Sequence, residues 1–437
     1  MEMYGWGRFP GIDTTLIEPV DRPSLATKLR SRDRNTHLIA RGAGRSYGDS
    51  SLAETTIGTR FLDNFISFDR QAGVLCCDAG LTLEQVLDLT VPAGWLLPVL
   101  PGTRFVSVGG AIASDVHGKN HHLDGCFSNF VQSMSLMLAS GETVQCSRDN
   151  NPELFRATCG GMGLTGIILA ATLKLEPVVS AFIEQRTDFA ANLDEIFALF
   201  EEHQLSKYSV AWLDCLARGA KLGRSVLFTG HNSTRGGLVN WSRRRISAPP
   251  RSPGFLVNRV SMGLFNRLYL AAQKSGRREN IQYYRDYFFP LDWIHNWNRL
   301  YGGRGFIQYQ FVVPDTTARD AIGVALKEIS ALGKGSFLTV LKKMGAENAN
   351  FLSFPMAGYT LALDFRIEDS LFPLLDRLDR IVLEAGGRLY LAKDARMSRD
   401  LFTRTYPGLA DFQQVRREVD PDNLFGSLQS RRLGLSE

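Results

Sequence analysis

Short apolar runs broken by glycine-bearing turns dominate the chain from Thr36 to about Pro177, as in "HLIARGAG", "GVLCCDAGLTLEQVLDLTVPAGWLL" and "GIILAATLKLEP". Such runs, bounded by turn residues, predict strands, and the apolar spacing from Leu83 to Val91 predicts a helix among them. Pro177 closes a strand-like run, and "AANLDEIFALFEEHQ" beyond it has the spacing of an amphipathic helix with a capping start. A second unit begins there. Its strand-like segments are "YSVAWLDCL", "FIQYQFVVP", "SFLTVLKKMG" and "GYTLALDFRI"; its helical ones are "TARDAIGVALKEISALG" and "LFPLLDRLDRIVLEAGG". The last stretch, from "RLYLAKDAR" onward, returns to short elements rich in polar residues. The pattern is α+β in two units, without an internal repeat.

A length of 437 residues agrees with two domains, since one core stops growing at roughly 250–300. At 44% hydrophobic and 22% charged residues the chain has the composition of a soluble globular protein. Six cysteines (Cys76, Cys77, Cys126, Cys146, Cys159, Cys215) lack CxxC spacing, which reads as reduced, buried thiols without a metal site. No signal-peptide pattern opens the chain and no run reaches the roughly 18 apolar residues of a membrane span, so a cytoplasmic protein is expected. The net charge of +5 is unevenly spread. Trp241 to Arg278 holds nine Lys/Arg and no Asp/Glu, leaving the remainder at −4.

Two glycine-rich loops carry candidate chemistry. In "RGAGRSYGDSSL", Gly42, Gly44 and Gly48 follow a strand, but the third glycine falls one position late for a Rossmann fingerprint and Tyr47 takes its slot. In "PGTRFVSVGGAIASDVHGKNHH", Gly102, Gly109 and Gly110 precede small residues that permit close approach by a flat ligand. Singly, each loop suits a structural turn. Together, they suit backbone N–H groups converging on a phosphate-bearing cofactor held in extended form. The literal GxGxxG at Gly161, Gly163 and Gly166 leads into a strand-like run rather than a helix, which predicts a packing turn.

"ARGAGRSYGDSSL", "LPGTRFVSVGGAIASDVHGKNHH", "GGMGLTGII", "GFIQYQFVVP" and "GGRLYLAKDAR" resemble, in order and spacing, the vanillyl-alcohol-oxidase-like FAD family. Within it the likeness is to members that oxidise polyprenyl-phosphoryl ribose, and it runs from Gly5 nearly to the C-terminus. It implies a two-domain PCMH-type FAD-binding fold with an inserted α+β substrate (cap) domain: FAD domain 1–178 and 388–437, substrate domain 179–387. By the same resemblance Arg41, Gly42, Ala43, Gly44, Arg45, Ser46, Tyr47, Gly48 and Asp49 wrap the FAD pyrophosphate. Gly102, Thr103, Ser107, Gly109, Gly110, Ser114, His117 and Gly118 line the cofactor, and Ile167 and Tyr390 complete the pocket. Many relatives attach the flavin covalently through a histidine in the first loop. Arg45 stands there, which predicts non-covalent FAD.

Oxidising a secondary alcohol with FAD needs the carbinol C–H to face the flavin, an acceptor for the hydroxyl proton, and charge to stabilise the reduced cofactor. The resemblance assigns Lys393 to this site, as base or as charge stabiliser, with Tyr47 and His117 as further catalytic candidates. Lys119, Gln308, Gln310 and Lys342 match positions facing the substrate's sugar and phosphate; amides recognise hydroxyls, lysines phosphate. A two-residue period puts both glutamines on one strand face. Where close members carry asparagine and cysteine, this chain has Thr360 and Ala362, so pocket polarity and volume differ.

The expected activity is oxidation of the 2-hydroxyl of a polyprenyl-phosphoryl pentose to a keto sugar. A separate NAD(P)H-dependent short-chain reductase would complete an epimerisation toward an arabinose donor for the cell envelope, and quinone or oxygen would reoxidise the flavin. A FAD enzyme of a soluble sugar, alditol or aldonolactone is the alternative. The basic segment 241–278, with interspersed apolar residues, suits peripheral contact with the inner face of the plasma membrane and equally a solvated loop. No nucleic-acid module accompanies its charges.

Overall fold

The computed structural model describes residues 1–30, 37–239, 241, 245–249 and 258–436. The first unit holds a three-stranded parallel sheet (Thr15–Ile17, Thr55–Gly58, Leu38–Arg41) and a five-stranded antiparallel sheet. In the latter, Thr143–Ser147, Val131–Met137, Ile167–Lys174, Val74–Asp78 and Phe65–Asp69 lie side by side. The helix expected at Leu83 spans Leu83–Thr90, and Thr82 starts it with a capping box to Gln85. The C-terminal segment returns to this unit: Leu38 N–H donates to Leu424 O, and Gly426 N–H to Leu38 O.

The second unit is an eight-stranded antiparallel sheet in the order Glu279–Tyr283, Phe182–Ala190, Ser225–Asn232, Tyr208–Leu213, Thr339–Met344, Gly358–Arg366, Phe306–Pro314, Arg388–Leu389. It therefore takes in Arg388 and Leu389, just beyond the boundary expected at 387. Helices Leu193–Glu202, Asp315–Ala331 and Phe372–Glu384 cover one face of this sheet. The strands alternate accordingly: Tyr309 and Phe311 point into the core beneath those helices, while Gln308 and Gln310 face a cavity on the other side. Among the described residues no helix is long and apolar enough to cross a membrane.

Two sets of contacts tie the units together. The backbone of Trp6 and Gly7 is hydrogen-bonded to Ser46 O and Tyr47 O of the first glycine loop, and Phe306 N–H donates to Gly7 O. Asp115, fully buried, accepts from Asn348 (2.7 Å), Asn350 (2.8 Å) and Ser353 (2.7 Å) in the connection between Thr339–Met344 and Gly358–Arg366.

Candidate functional site

A cavity of 620 Å³ runs between the two glycine loops and the open face of the large sheet, a size usual for cofactor and ligand sites. The strand Leu38–Arg41 delivers the first loop. Gly44 has φ +62°, and a Cβ there would meet the Arg41 guanidinium at 2.5 Å. Arg41 itself does not line the cavity; its guanidinium donates to Tyr4 O (2.7 Å) and Ser51 Oγ (3.1 Å) and so holds the loop from behind. Gly48 and Asp49 also lie outside the cavity. A Cβ on Gly48 would sit 1.8 Å from Asp394 O, and the Asp49 carboxylate bonds Arg432 at 2.8 Å. These three residues shape the loop, whereas Gly42, Ala43, Gly44, Arg45, Ser46 and Tyr47 form the wall.

The second loop supplies Gly102, Thr103, Ser107, Gly109, Gly110 and Ser114 to the facing wall, followed by His117, Gly118 and Lys119. The loops approach closely: a Cβ on Gly42 would stand 2.0 Å from Ser107 Oγ. The GxGxxG run forms a turn before the strand Ile167–Lys174, as its context predicts, but Met162, Gly163 and Gly166 also line the cavity. Ile167 does not; it is fully buried with Leu25 and Met137 on the far side, and Ile168 takes the lining position. Alternation along a strand allows only one of two neighbours to face inward. Arg45 reaches the cavity with its guanidinium 4.2 Å from the Trp6 ring centre and 5.2 Å from that of Phe105, and its Nε has no partner among the described residues. Two close glycine walls and a half-buried cation between aromatic rings fit an extended, anionic, flat cofactor such as FAD.

At the other end the side chains predicted for chemistry converge. Lys393 Nζ sits 3.8 Å from the Tyr47 ring centre. The His117 ring lies between Gln310, 3.1 Å from Nε2, and Lys342 Nζ, 3.0 Å from Nδ1. Burial, then the charge of Lys342, pushes His117 well below the usual histidine range, so its imidazole is neutral and carries one N–H. Two arrangements satisfy it. Either the Gln310 amide N–H donates to Nε2 and Nδ1–H donates to an uncharged Lys342, or a charged Lys342 donates to Nδ1 and the Gln310 oxygen turns to receive Nε2–H. Lys342 stands at the balance point: burial, then the charges of Lys393 and Lys119, lower it to about 7. Burial brings Lys119 to about 7 as well; its ammonium bonds Tyr287 O and lies over the Tyr287 ring.

Tyr390 lines the cavity and donates to Ser114 O at 3.0 Å. Ala362 also lines it, but Thr360 does not. The Thr360 hydroxyl donates to Phe311 O (2.8 Å) and accepts from Gln310 (3.2 Å), so it fixes the glutamine from behind rather than meeting a ligand.

Asp364, absent from the sequence expectations, belongs to this constellation. It is fully buried directly across the strand pair from Gln308, whose amide donates to Oδ1 at 2.6 Å, while Oδ2 has no partner among the described residues. Burial raises Asp364 and lowers Lys393, each to about 7, and each charge opposes the other's shift. The signal available in the sequence was an acidic residue inside the apolar run "TLALDF", where an unsatisfied charge is costly.

The chain matches the model of the FAD binding domain over residues 16–147, and that of D-arabinono-1,4-lactone oxidase over residues 368–433. It is 37% identical to decaprenylphosphoryl-β-D-ribose oxidase of Mycolicibacterium smegmatis, across 99% of this chain and 97% of the relative. Similarity to D-arabinono-1,4-lactone oxidase of Yarrowia lipolytica (31%) covers 39% of this chain and 34% of that protein. Similarity to human Δ(24)-sterol reductase (27%) covers 39% and 32%.

Proposed function

The chain belongs to the family of the decaprenylphosphoryl-β-D-ribose oxidase, FAD-dependent oxidoreductases, and on that premise we propose that it oxidises the 2-hydroxyl of a polyprenyl-phosphoryl pentose to a 2-keto sugar. The observation that carries this reading is the grouping of Lys119, Lys342 and Lys393 with Gln308, Gln310 and His117 at one end of a cavity whose other end fits the cofactor. None of the three lysines has a carboxylate within ion-pair distance among the described residues, and Asp364 is the acid nearest in effect. Such a site suits a phosphate and polyhydroxyl ligand.

Bound FAD supplies the two-electron acceptor for the carbinol. The protein's part is to hold the sugar and move the proton: Gln308 and Gln310 present amides to hydroxyls, Lys342 and Lys119 meet the phosphate, and Lys393 accepts the hydroxyl proton. Anaerobic addition of a polyprenyl-phosphoryl ribose is expected to bleach the flavin's visible absorbance; persistent colour would refute the assignment.

A lysine acting as base gives a rate that rises with pH through its pKa. Asp364→Asn keeps the amide contact to Gln308 but removes the negative charge that favours protonated Lys393, so the Lys393 pKa falls. The acid limb of the kcat/KM profile is therefore expected to move to lower pH in Asp364→Asn. A limb that stays in place would show that Asp364 does not act on Lys393, and a rate that falls with pH would make Lys393 a charge stabiliser.

The cofactor is held without a covalent bond: Arg45 occupies the first-loop position, and both ring nitrogens of His117 are engaged by Gln310 and Lys342. Acid precipitation is expected to leave yellow flavin in the supernatant; a yellow pellet would contradict this. A separate NAD(P)H-dependent short-chain reductase is proposed to reduce the keto sugar, since the GxGxxG run here serves this cavity and precedes a strand. Quinone or oxygen would reoxidise the flavin. The partial match to lactone oxidases at 368–433 supports a second reading, a soluble aldonolactone or alditol, which predicts bleaching by such compounds alone.

A further inference from the structure

The helix Arg259–Ser275 has two apolar faces. Met262, Asn266 and Leu270 are buried on the inner one; Asn266 donates to Asp214 at 2.6 Å, and Leu270 packs with Trp212 and Val226. These contacts fix the helix on the sheet. The outer face repeats at the same four-residue interval: Val260, Leu264 and Leu268 are 80%, 58% and 61% exposed. Large apolar side chains in a row at that exposure are unusual for a surface with nothing on it.

The flanking charge narrows what covers this row. On a helical wheel Arg267 and Lys274 border the row on one side, with Arg259 further round. Arg277 and Arg278 follow the helix end, and no acidic residue occurs from 258 to 278. None of these five cations is in an ion pair among the described residues. An apolar stripe edged by unneutralised cations complements a surface that is negative outside and apolar beneath, which is an anionic lipid bilayer. Three further cations of the segment, Arg243, Arg244 and Arg251, lie outside the described residues.

The inner face of the same helix leads to the cavity. Tyr269 and Gln273 line it, as does Arg277 just past the helix end, and beneath them Trp212, Phe228 and Val340 of the large sheet give this arm of the cavity an apolar lining beside the polar Gln185, Thr187 and Asn280. The arm passes between the sheet and the helix, so the helix separates a stripe suited to lipid from an apolar channel leading toward Lys393. The helix's diameter, about 10 Å, is all that lies between them.

We propose that the helix Arg259–Ser275 docks this protein on an anionic membrane and roofs an arm that receives the first isoprene units of the substrate. This inference rests on the reading that the substrate carries a polyprenyl chain. The test uses the full-length flavoprotein with sedimented vesicles of phosphatidylcholine alone or with phosphatidylglycerol, at low and high salt. Binding is expected only with the anionic lipid, weakened by salt. Leu264→Gln/Leu268→Gln is expected to reduce it on the order of tenfold or more, while flavin bleaching by a short-chain, water-soluble polyprenyl-phosphoryl ribose stays unchanged, because neither leucine lines the cavity. Absence of wild-type binding, or equal binding by the double variant, would overturn the docking while bleaching still supported the oxidase. For the arm, Trp212→Glu is expected to raise the KM for the short-chain substrate at least several-fold with flavin content intact; an unchanged KM would overturn the arm. Failure to bleach with vesicle binding retained would strike the oxidase reading instead.

Discussion

Lys393→Ala is expected to slow flavin bleaching by a polyprenyl-phosphoryl pentose by roughly 10²- to 10⁴-fold, the range for loss of a positioned acid–base group, with FAD still bound. The lysine follows the edge strand Arg388–Leu389, and its ammonium rests on the Tyr47 ring at 3.8 Å. Burial brings it to about 7, so near neutral pH both its forms are present and it can take up a proton without a large cost. No neighbour substitutes readily: without ligand Lys342 bonds His117 and Lys119 bonds Tyr287 O, and both are assigned to the substrate phosphate. Tyr47 is raised well above the usual phenol range by burial and then by the charge of Asp364, which makes it a poor base at neutral pH. Stopped-flow absorbance on wild type and variant at matched flavin content decides the matter. A variant within threefold of wild type would remove Lys393 from the chemistry.

Arg432→Ala is expected to cost about 3–5 kcal/mol of stability and to weaken FAD retention. The Arg432 guanidinium lies between Asp49 (2.8 Å) and Asp394 (2.8 Å) and also donates to Met397 O (2.5 Å). Both carboxylates are almost fully buried. Without the cation they face each other unneutralised, one at the end of the first glycine loop and the other next to Lys393. Asp49 is already raised by burial, and losing Arg432 would raise it further. Protonation then relieves the repulsion, so the deficit of the variant should shrink as pH falls. Denaturant titrations at two pH values, with released flavin measured alongside, test this. Wild-type stability in Arg432→Ala would show that the C-terminal helix Leu428–Leu433, which carries Arg432, does not brace the loop.

The wall of the site is more legible in the sequence than its supports. Glycine spacing marks both loops because backbones packed this closely tolerate few other residues: a Cβ on Gly42 would stand 2.0 Å from Ser107 Oγ. The "QYQ" alternation placed both glutamines inward. Resemblance alone, however, could not separate a residue that touches the cavity from one that holds its neighbour: Arg41, Gly48, Asp49 and Thr360 proved to act from behind. The resemblance points to Ile167 where Ile168 lines the cavity, and nothing local marks which strand face looks inward. Asp364 is not legible locally because its importance comes from the residue opposite, 56 positions earlier in the chain. The arm under Arg259–Ser275 takes Trp212, Phe228, Val340 and the stretch from Tyr269 to Arg277 from four separated segments, which no local pattern brings together.

The contacts of Asp115 and of Trp6–Gly7 have a mechanical meaning. Three of the donors that reach Asp115 come from a single crossing segment, and the N-terminal strip is bonded to the glycine loop on one side and to the sheet on the other. Such a joint is a seam rather than a hinge. Such contacts oppose separation of the cavity walls, so the proposed polyprenyl substrate is expected to reach Lys393 by threading lengthwise, in the manner of a cord through a sleeve.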